Sequence, residues 1–181
     1  MKILLFRAHK GDPISRIIKA ITRSVYSHAA ILIDSPSWRA KVIGQFNVVV
    51  SDTPYLIIEA VWPKVHARFL GHEELSNIDV YDVPAHTPDR EDHSMNWLVD
   101  QLKEAIRYDV WDLFRFLAVA RKFLGDGDSK SYKRFTFCSM LDYNAFRVGG
   151  TRLFSPLVHD RDVSPDKLSW SPLAIPAPGL T

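Results

Sequence analysis

The sequence predicts an α+β fold, and three stretches carry that expectation. An amphipathic helical period lies near the N-terminus, and short β-branched and aromatic runs fill the region from Trp38 to Val83. Helical periodicity then returns from Pro88 onward. One helix, then strands, then helices is the order of an α+β chain rather than of alternating β-α units.

Each element has its own signal. Ile3 to Phe6 reads as a buried first strand. Gly11-Asp12-Pro13 is a helix start, with Asp12 as N-cap and Pro13 at the first helical position. Ile14, Ile17, Ile18 and Ile21 then fall on one face of a helix ending near Ser24. Ala29 to Ile33 has strand character. Val48–Val50, Tyr55–Val61, Val65–Phe69 and Ile78–Val83 follow as short strands, punctuated by Asp52-Thr53-Pro54, Trp62-Pro63 and Gly71. They suggest an antiparallel meander or a small barrel. A helix opens at Pro88 and runs to about Ile106, with Trp97, Leu98, Leu102, Ala105 and Ile106 on its buried face. Asp109–Leu124 repeats the pattern, and a third helix runs from Cys138 to Val148, stopped by Gly149-Gly150. From about residue 155 the chain is proline-rich and is expected to wrap the surface with little regular structure.

Composition bounds the class of protein. The 181 residues suit one domain, 1–181, without an internal repeat or a linker. Hydrophobic residues make up 46% and charged residues 24%, the balance of a globular chain rather than a disordered tail. Lys and Arg number 23 against 21 Asp and Glu, too even for a protein that lives by neutralising nucleic-acid phosphates. The apolar run Ile3–Phe6 is shorter than the about seven to fifteen residues of a secretory signal. No run approaches the roughly eighteen residues of a membrane span. The expectation is a cytoplasmic protein without an integral membrane segment, in a reducing compartment.

Cys138 is the single cysteine, so neither an internal disulfide nor a cysteine zinc site is open to it. It is either buried filler or a reactive centre. Its place at a predicted helix start favours a thiolate, because free backbone N–H groups and the positive dipole end gather there. His28 lies just after the first helix, at the start of a strand. It is either a partly exposed loop histidine or a base able to take a thiol proton. Glu59, inside the apolar run Tyr55–Val61, either points to solvent or is buried with a partner, a histidine ring being an obvious one. The remaining histidines lack the spacing of a helical zinc site, and Asp126-Gly127-Asp128 lacks the other ligands of a calcium loop. Gly11-Asp12 is not followed by the Gly-Lys of a phosphate loop. These residues imply no metal, no nucleotide and no other cofactor.

Several short motifs occur in a telling order: Leu4-Leu5-Phe6-Arg7, Ile14-Ser15-Arg16-Ile17-Ile18, Tyr26-Ser27-His28 and Ile58-Glu59-Ala60. Tyr108-Asp109, Phe137-Cys138-Ser139 and Ser164-Pro165-Asp166-Lys167-Leu168 complete them. In this the chain resembles the circularly permuted papain-like hydrolases, the YiiX-type branch of the NlpC superfamily and relatives of the lecithin retinol acyltransferase group. The resemblance touches residues 4 to 168. It implies a papain-like core permuted so that histidine precedes cysteine. Carried over residue by residue, it implies Cys138 as nucleophile, His28 as base and Glu59 as orienting acid. Met140 stands where relatives commonly carry a glutamate, and the Asn-Cys-Glu-His motif of the acyltransferase relatives is absent.

The expected function is therefore a thiol hydrolase of amide, peptide or acyl-ester bonds, possible substrates being short cell-wall-type peptides. Tyr26 and Ser139 are candidates for oxyanion or substrate contacts. Two alternatives stand beside it. One is a non-catalytic binding module on the same fold. The other is a lipid-directed acyltransferase or phospholipase that touches membranes through the helix from Val110 to Leu124.

Overall fold

The structure, a computed structural model, describes residues 1–7, 24–61, 64–104, 107–108, 135–136, 138–159 and 162–180. Its strands are β1 (Lys2–Arg7), β2 (Tyr26–Leu32), β3 (Leu56–Val61), β4 (Lys64–Phe69), β5 (Ile78–Asp82), β6 (Arg107–Tyr108), β7 (Phe135–Thr136) and β8 (Ile175–Ala177). The helices are α1 (Pro36–Phe46), α2 (Pro88–Lys103), α3 (Cys138–Val148) and α4 (Pro165–Ser169), with a 3-10 turn at His72–Asn77. The class is α+β. The strands form one open sheet in the order β7-β6-β4-β3-β2-β1-β5-β8, so the barrel alternative is not what the chain builds. Every pairing is antiparallel except the two-residue contact of β6 with β7.

β1 is a continuous apolar run because both of its faces are covered. Ile3 and Leu5 pack among residues of α3 and α4, whereas Leu4 joins Ala30, Leu32, Ile57 and Val80 on the opposite face. The helical face of the sheet is larger. There Ile31, Ile58 and Ala60 meet Val42 of α1, Met95, Leu98 and Val99 of α2, and Leu141 and Ala145 of α3.

α1 corrects the expectation of unbroken β texture after Trp38. Pro36 occupies the first turn, Asn47 ends the helix at φ 48°, and only Trp38 and Val42 are buried. So narrow an apolar face leaves a weak helical period in the sequence. Val48–Val50 is correspondingly not a strand, and Val49 and Val50 are exposed. α2 ends at Lys103, and its buried face runs through Met95, Leu98, Val99 and Leu102, with Trp97 only partly covered. The helices expected at 12–24 and 109–124 lie outside the described residues, apart from Ser24.

The C-terminal segment is also more than a surface wrap. Ser164 caps α4 by accepting the Lys167 N–H at 3.1 Å, and Leu153, Val163 and Leu168 are fully buried beside α3. Its prolines sit where they do least harm, Pro165 in the first turn of a helix and Pro176 on an edge strand. Gly149 and Gly150 close α3. Gly150 is at φ 80°, and a Cβ on Gly149 would lie 2.2 Å from Ser94 Oγ and 2.6 Å from the Arg90 carbonyl.

Because Leu168 belongs to the core, Leu168→Ala should destabilise the protein by about 2–5 kcal/mol in chemical denaturation. A loss under about 0.5 kcal/mol, typical of surface substitutions, would contradict that packing.

Candidate active site

The site forms where the sheet parts. β2 and β3 are paired only at Ile31↔Ile58 and Leu32↔Ile57, while Ala29 and His28 remain paired with Leu5 and Phe6 of β1. A register shift between Phe6 and Arg7 adds local twist at the same end of β2. His28 and Glu59 meet across this gap, His28 Nε2 lying 2.8 Å from Glu59 Oε2. Phe6 packs on the imidazole with ring centroids 5.2 Å apart.

Glu59 is buried, with its side chain only 3% exposed, and three donors converge on it. His28 takes Oε2, while His66 Nε2 at 3.1 Å and Arg68 Nε at 2.5 Å take Oε1. Burial would push this carboxyl up, but hydrogen bonds from His28 and His66 and the charges of His28 and Arg68 hold it well below its usual range. Arg68 in turn forks onto Glu74, at 2.6 and 2.8 Å.

Cys138 is the first residue of α3 and is buried. Its thiol bonds to His28, and the backbone N–H groups of Ala29 and Ser139 also point at the sulfur. Since His28 Nε2 faces Glu59, Nδ1 is the ring nitrogen left for the thiol. Burial acts to raise the thiol pKa, but the charge and hydrogen bond of His28 and the two N–H groups bring it below the ordinary value. Burial likewise acts to lower the His28 pKa. The Cys138 thiolate and the Glu59 carboxylate overcome it and raise that pKa to about 10. Both shifts run in the direction of a thiolate–imidazolium pair.

Tyr26 and Ser139 have other commitments. The Tyr26 hydroxyl donates to Asp79 Oδ2 at 2.8 Å and lies 3.1 Å from the Tyr81 hydroxyl. The Ser139 hydroxyl donates to the Val163 carbonyl at 2.5 Å, so only its backbone N–H faces the sulfur.

Sequence reasoning missed four residues here. His66, Arg68 and Glu74 surround Glu59, and the alternation Val65-His66-Ala67-Arg68 already placed two of them on one face of a strand. The fourth is Asp142, one helical turn after Cys138 on the same face of α3. It is fully buried, and among the described residues neither oxygen has a hydrogen-bond partner. Burial first, and then the Cys138 charge, raises its pKa well above the usual value, which favours the protonated acid.

No protein-family model matches the chain, and no curated protein matches it. Among solved structures it is similar to the crystal structure of metalloprotein yiiX from Escherichia coli O157:H7, DUF1105. The TM-score is 0.62 at 15% identity, over 99% of this chain and 96% of that one. The fold is YiiX-like. That protein is described as a metalloprotein, but among the described residues of this chain no three His, Cys, Asp or Glu side chains are grouped to hold a metal ion. Glu59 is closed to one by the donors already on it, so the described residues of this site do not fit a metal. None of the helices among the described residues is long and apolar enough to cross a membrane.

A buried acid with a raised pKa binds a proton in the folded state that the unfolded chain has released. Its contribution to stability is full below the unfolded pKa near ~4 and is lost as pH rises toward the folded pKa. Asp142→Asn should therefore stabilise the protein at pH 8 relative to wild type. The gain should shrink toward pH 4 in denaturant titrations. A gain independent of pH would show that Asp142 is ionised in the fold.

Proposed function

We propose that the protein is a cysteine hydrolase of amide, peptide or acyl-ester bonds, built on a permuted papain-like core of the NlpC type. The observation that carries this reading is the bridging position of His28, which bonds to the Cys138 thiol and, through Nε2, to the buried Glu59 carboxylate at 2.8 Å. Nucleophile, base and orienting acid need that relation, whatever their order along the chain.

In the proposed reaction the thiol proton resides on His28 before attack. The Cys138 thiolate adds to the substrate carbonyl carbon, and the C=O electron pair becomes an oxyanion. The backbone N–H of Cys138, at the start of α3, is suited to receive it. Collapse of the tetrahedral intermediate breaks the bond to the leaving amine or alcohol, which takes the proton from His28. Water then adds to the thioester carbon, with His28 taking its proton. Collapse breaks the C–S bond, releasing the acid and restoring the Cys138 thiolate beside the protonated His28. Glu59 stabilises the imidazolium in both steps and fixes the ring. Short peptides, including cell-wall-type peptides, are the proposed substrates.

Alkylation by iodoacetamide tests the ion pair without a known substrate, since Cys138 is the only thiol. The pH midpoint for alkylation should lie well below the ~8.5 of a free thiol. His28→Ala should move it upward and cut the rate at pH 6 at least tenfold. A wild-type midpoint near that of a free thiol would refute the proposed pair. Cys138→Ala should abolish turnover of peptide and ester libraries while keeping the melting temperature, and surviving hydrolysis would remove Cys138 as nucleophile.

A further inference from the structure

We infer that Arg68 is the positioning residue for the Glu59 carboxylate, and that Glu74 and the 3-10 turn His72–Asn77 hold Arg68 in that role. The inference rests on the hydrolase reading, because it concerns what fixes the acid behind His28. Arg68 stands in β4 opposite Ile57, diagonal to Glu59 and on the same face of the sheet. Its Nε donates to Glu59 Oε1 at 2.5 Å, while Nη1 and Nη2 fork onto the two Glu74 oxygens at 2.6 and 2.8 Å. Glu74 is itself fixed, since its Oε2 also accepts the Gly71 N–H at 2.8 Å and its own N–H donates to the Gly71 carbonyl at 3.1 Å.

A continuous series of directional bonds therefore runs from the backbone of the turn through Glu74, Arg68 and Glu59 to His28 and Cys138. An exposed ion pair would hold nothing so firmly, but this one is bidentate and partly buried, and it ends on a buried carboxylate. Without Arg68, Glu59 Oε1 would be left to His66, whose side chain is 37% exposed. Lysine keeps the charge at this position but cannot fork onto Glu74 while also donating to Glu59.

The test is the pH profile of Cys138 alkylation by iodoacetamide in wild type, Arg68→Lys, Glu74→Gln and His28→Ala, each checked for folding by thermal melting. If the series positions the acid, Arg68→Lys and Glu74→Gln both move the midpoint upward. The rate on the rising limb then falls at least threefold while the high-pH plateau is kept. A purely through-space charge effect gives a different pattern. Arg68→Lys would leave the midpoint in place, and Glu74→Gln, which removes an anion, would lower it. Either that pattern or two unchanged profiles overturns the inference, and Glu74→Gln decides the matter if Arg68→Lys fails to fold. A low wild-type midpoint that only His28→Ala raises sinks the positioning role alone. A free-thiol midpoint that His28→Ala does not move sinks the hydrolase reading and this inference together.

Discussion

A carboxylate buried between strands must be matched by donors, and the Glu59 charge is the constraint on which the site depends. Leaving an ionised carboxylate unpaired in an apolar interior costs more than a small domain can bear, so the chain has to deliver partners to it. It does so from three directions. β2 brings His28, β4 brings His66 and Arg68, and the turn after β4 brings Glu74 to balance Arg68. The antiparallel register, Glu59 opposite His66, makes those deliveries local. The charge that burial makes costly adds to that of Cys138 in holding the His28 proton.

The second requirement is to bring a helix N-terminus to the same gap. α3 is buried from Cys138 to Phe146, and its far end is fixed by His86. The imidazole of that histidine lies 2.9 Å from Thr151 Oγ1 and 3.1 Å from Ser94 Oγ, and Ser94 donates to the Ala145 carbonyl at 2.6 Å. The absence of a side chain on Gly149 lets this contact close. With α2 and α3 joined there and β2 released from β3 beyond Ile31, Cys138 meets the Ala29 N–H and the imidazole together. The fold thus places a thiol where both a base and backbone dipoles favour its ionised form.

Much of this was legible in the sequence, for identifiable reasons. Cys138–Val148 has the bounds its glycine stop and apolar period predict, and the runs at β1 to β5 are strands because their β-branched content is also their core content. What was not legible depends on contacts distant in sequence. α1 buries two side chains, too few to impose a period against its β-rich surroundings. Leu168 and Val163 looked like tail residues because nothing local shows that they fill the space beside Phe146. Cys138, His28 and Glu59 could be named from residue type and order, but the donors on Glu59 needed the β3–β4 register. Asp142 needed the knowledge that the helix face below the thiol turns inward.

Asp142 also sets how the fold responds to pH, because the other shifted groups of the site nearly cancel. In the proposed pair the proton that leaves Cys138 resides on His28, so near neutrality the pair as a whole binds about as many protons folded as unfolded. Glu59 is ionised in both states, and its contribution is lost only as pH falls through the carboxylate range. His86, lowered to about 4 chiefly by burial, adds stability that is lost only as pH falls below its unfolded value near ~6.5. Asp142 is the acid among these groups whose folded pKa is raised, so it makes stability decline as pH rises. An amide would avoid that cost at the same volume. An ionisable acid one turn from Cys138 therefore opposes stability as pH rises, and sites that oppose stability are where function is usually found. If Asp142 were to lose its proton, a second anion would stand beside the thiolate and raise the thiol pKa again. A neutral Asp142 thus favours the thiolate, as the His28 imidazole and the backbone N–H groups do.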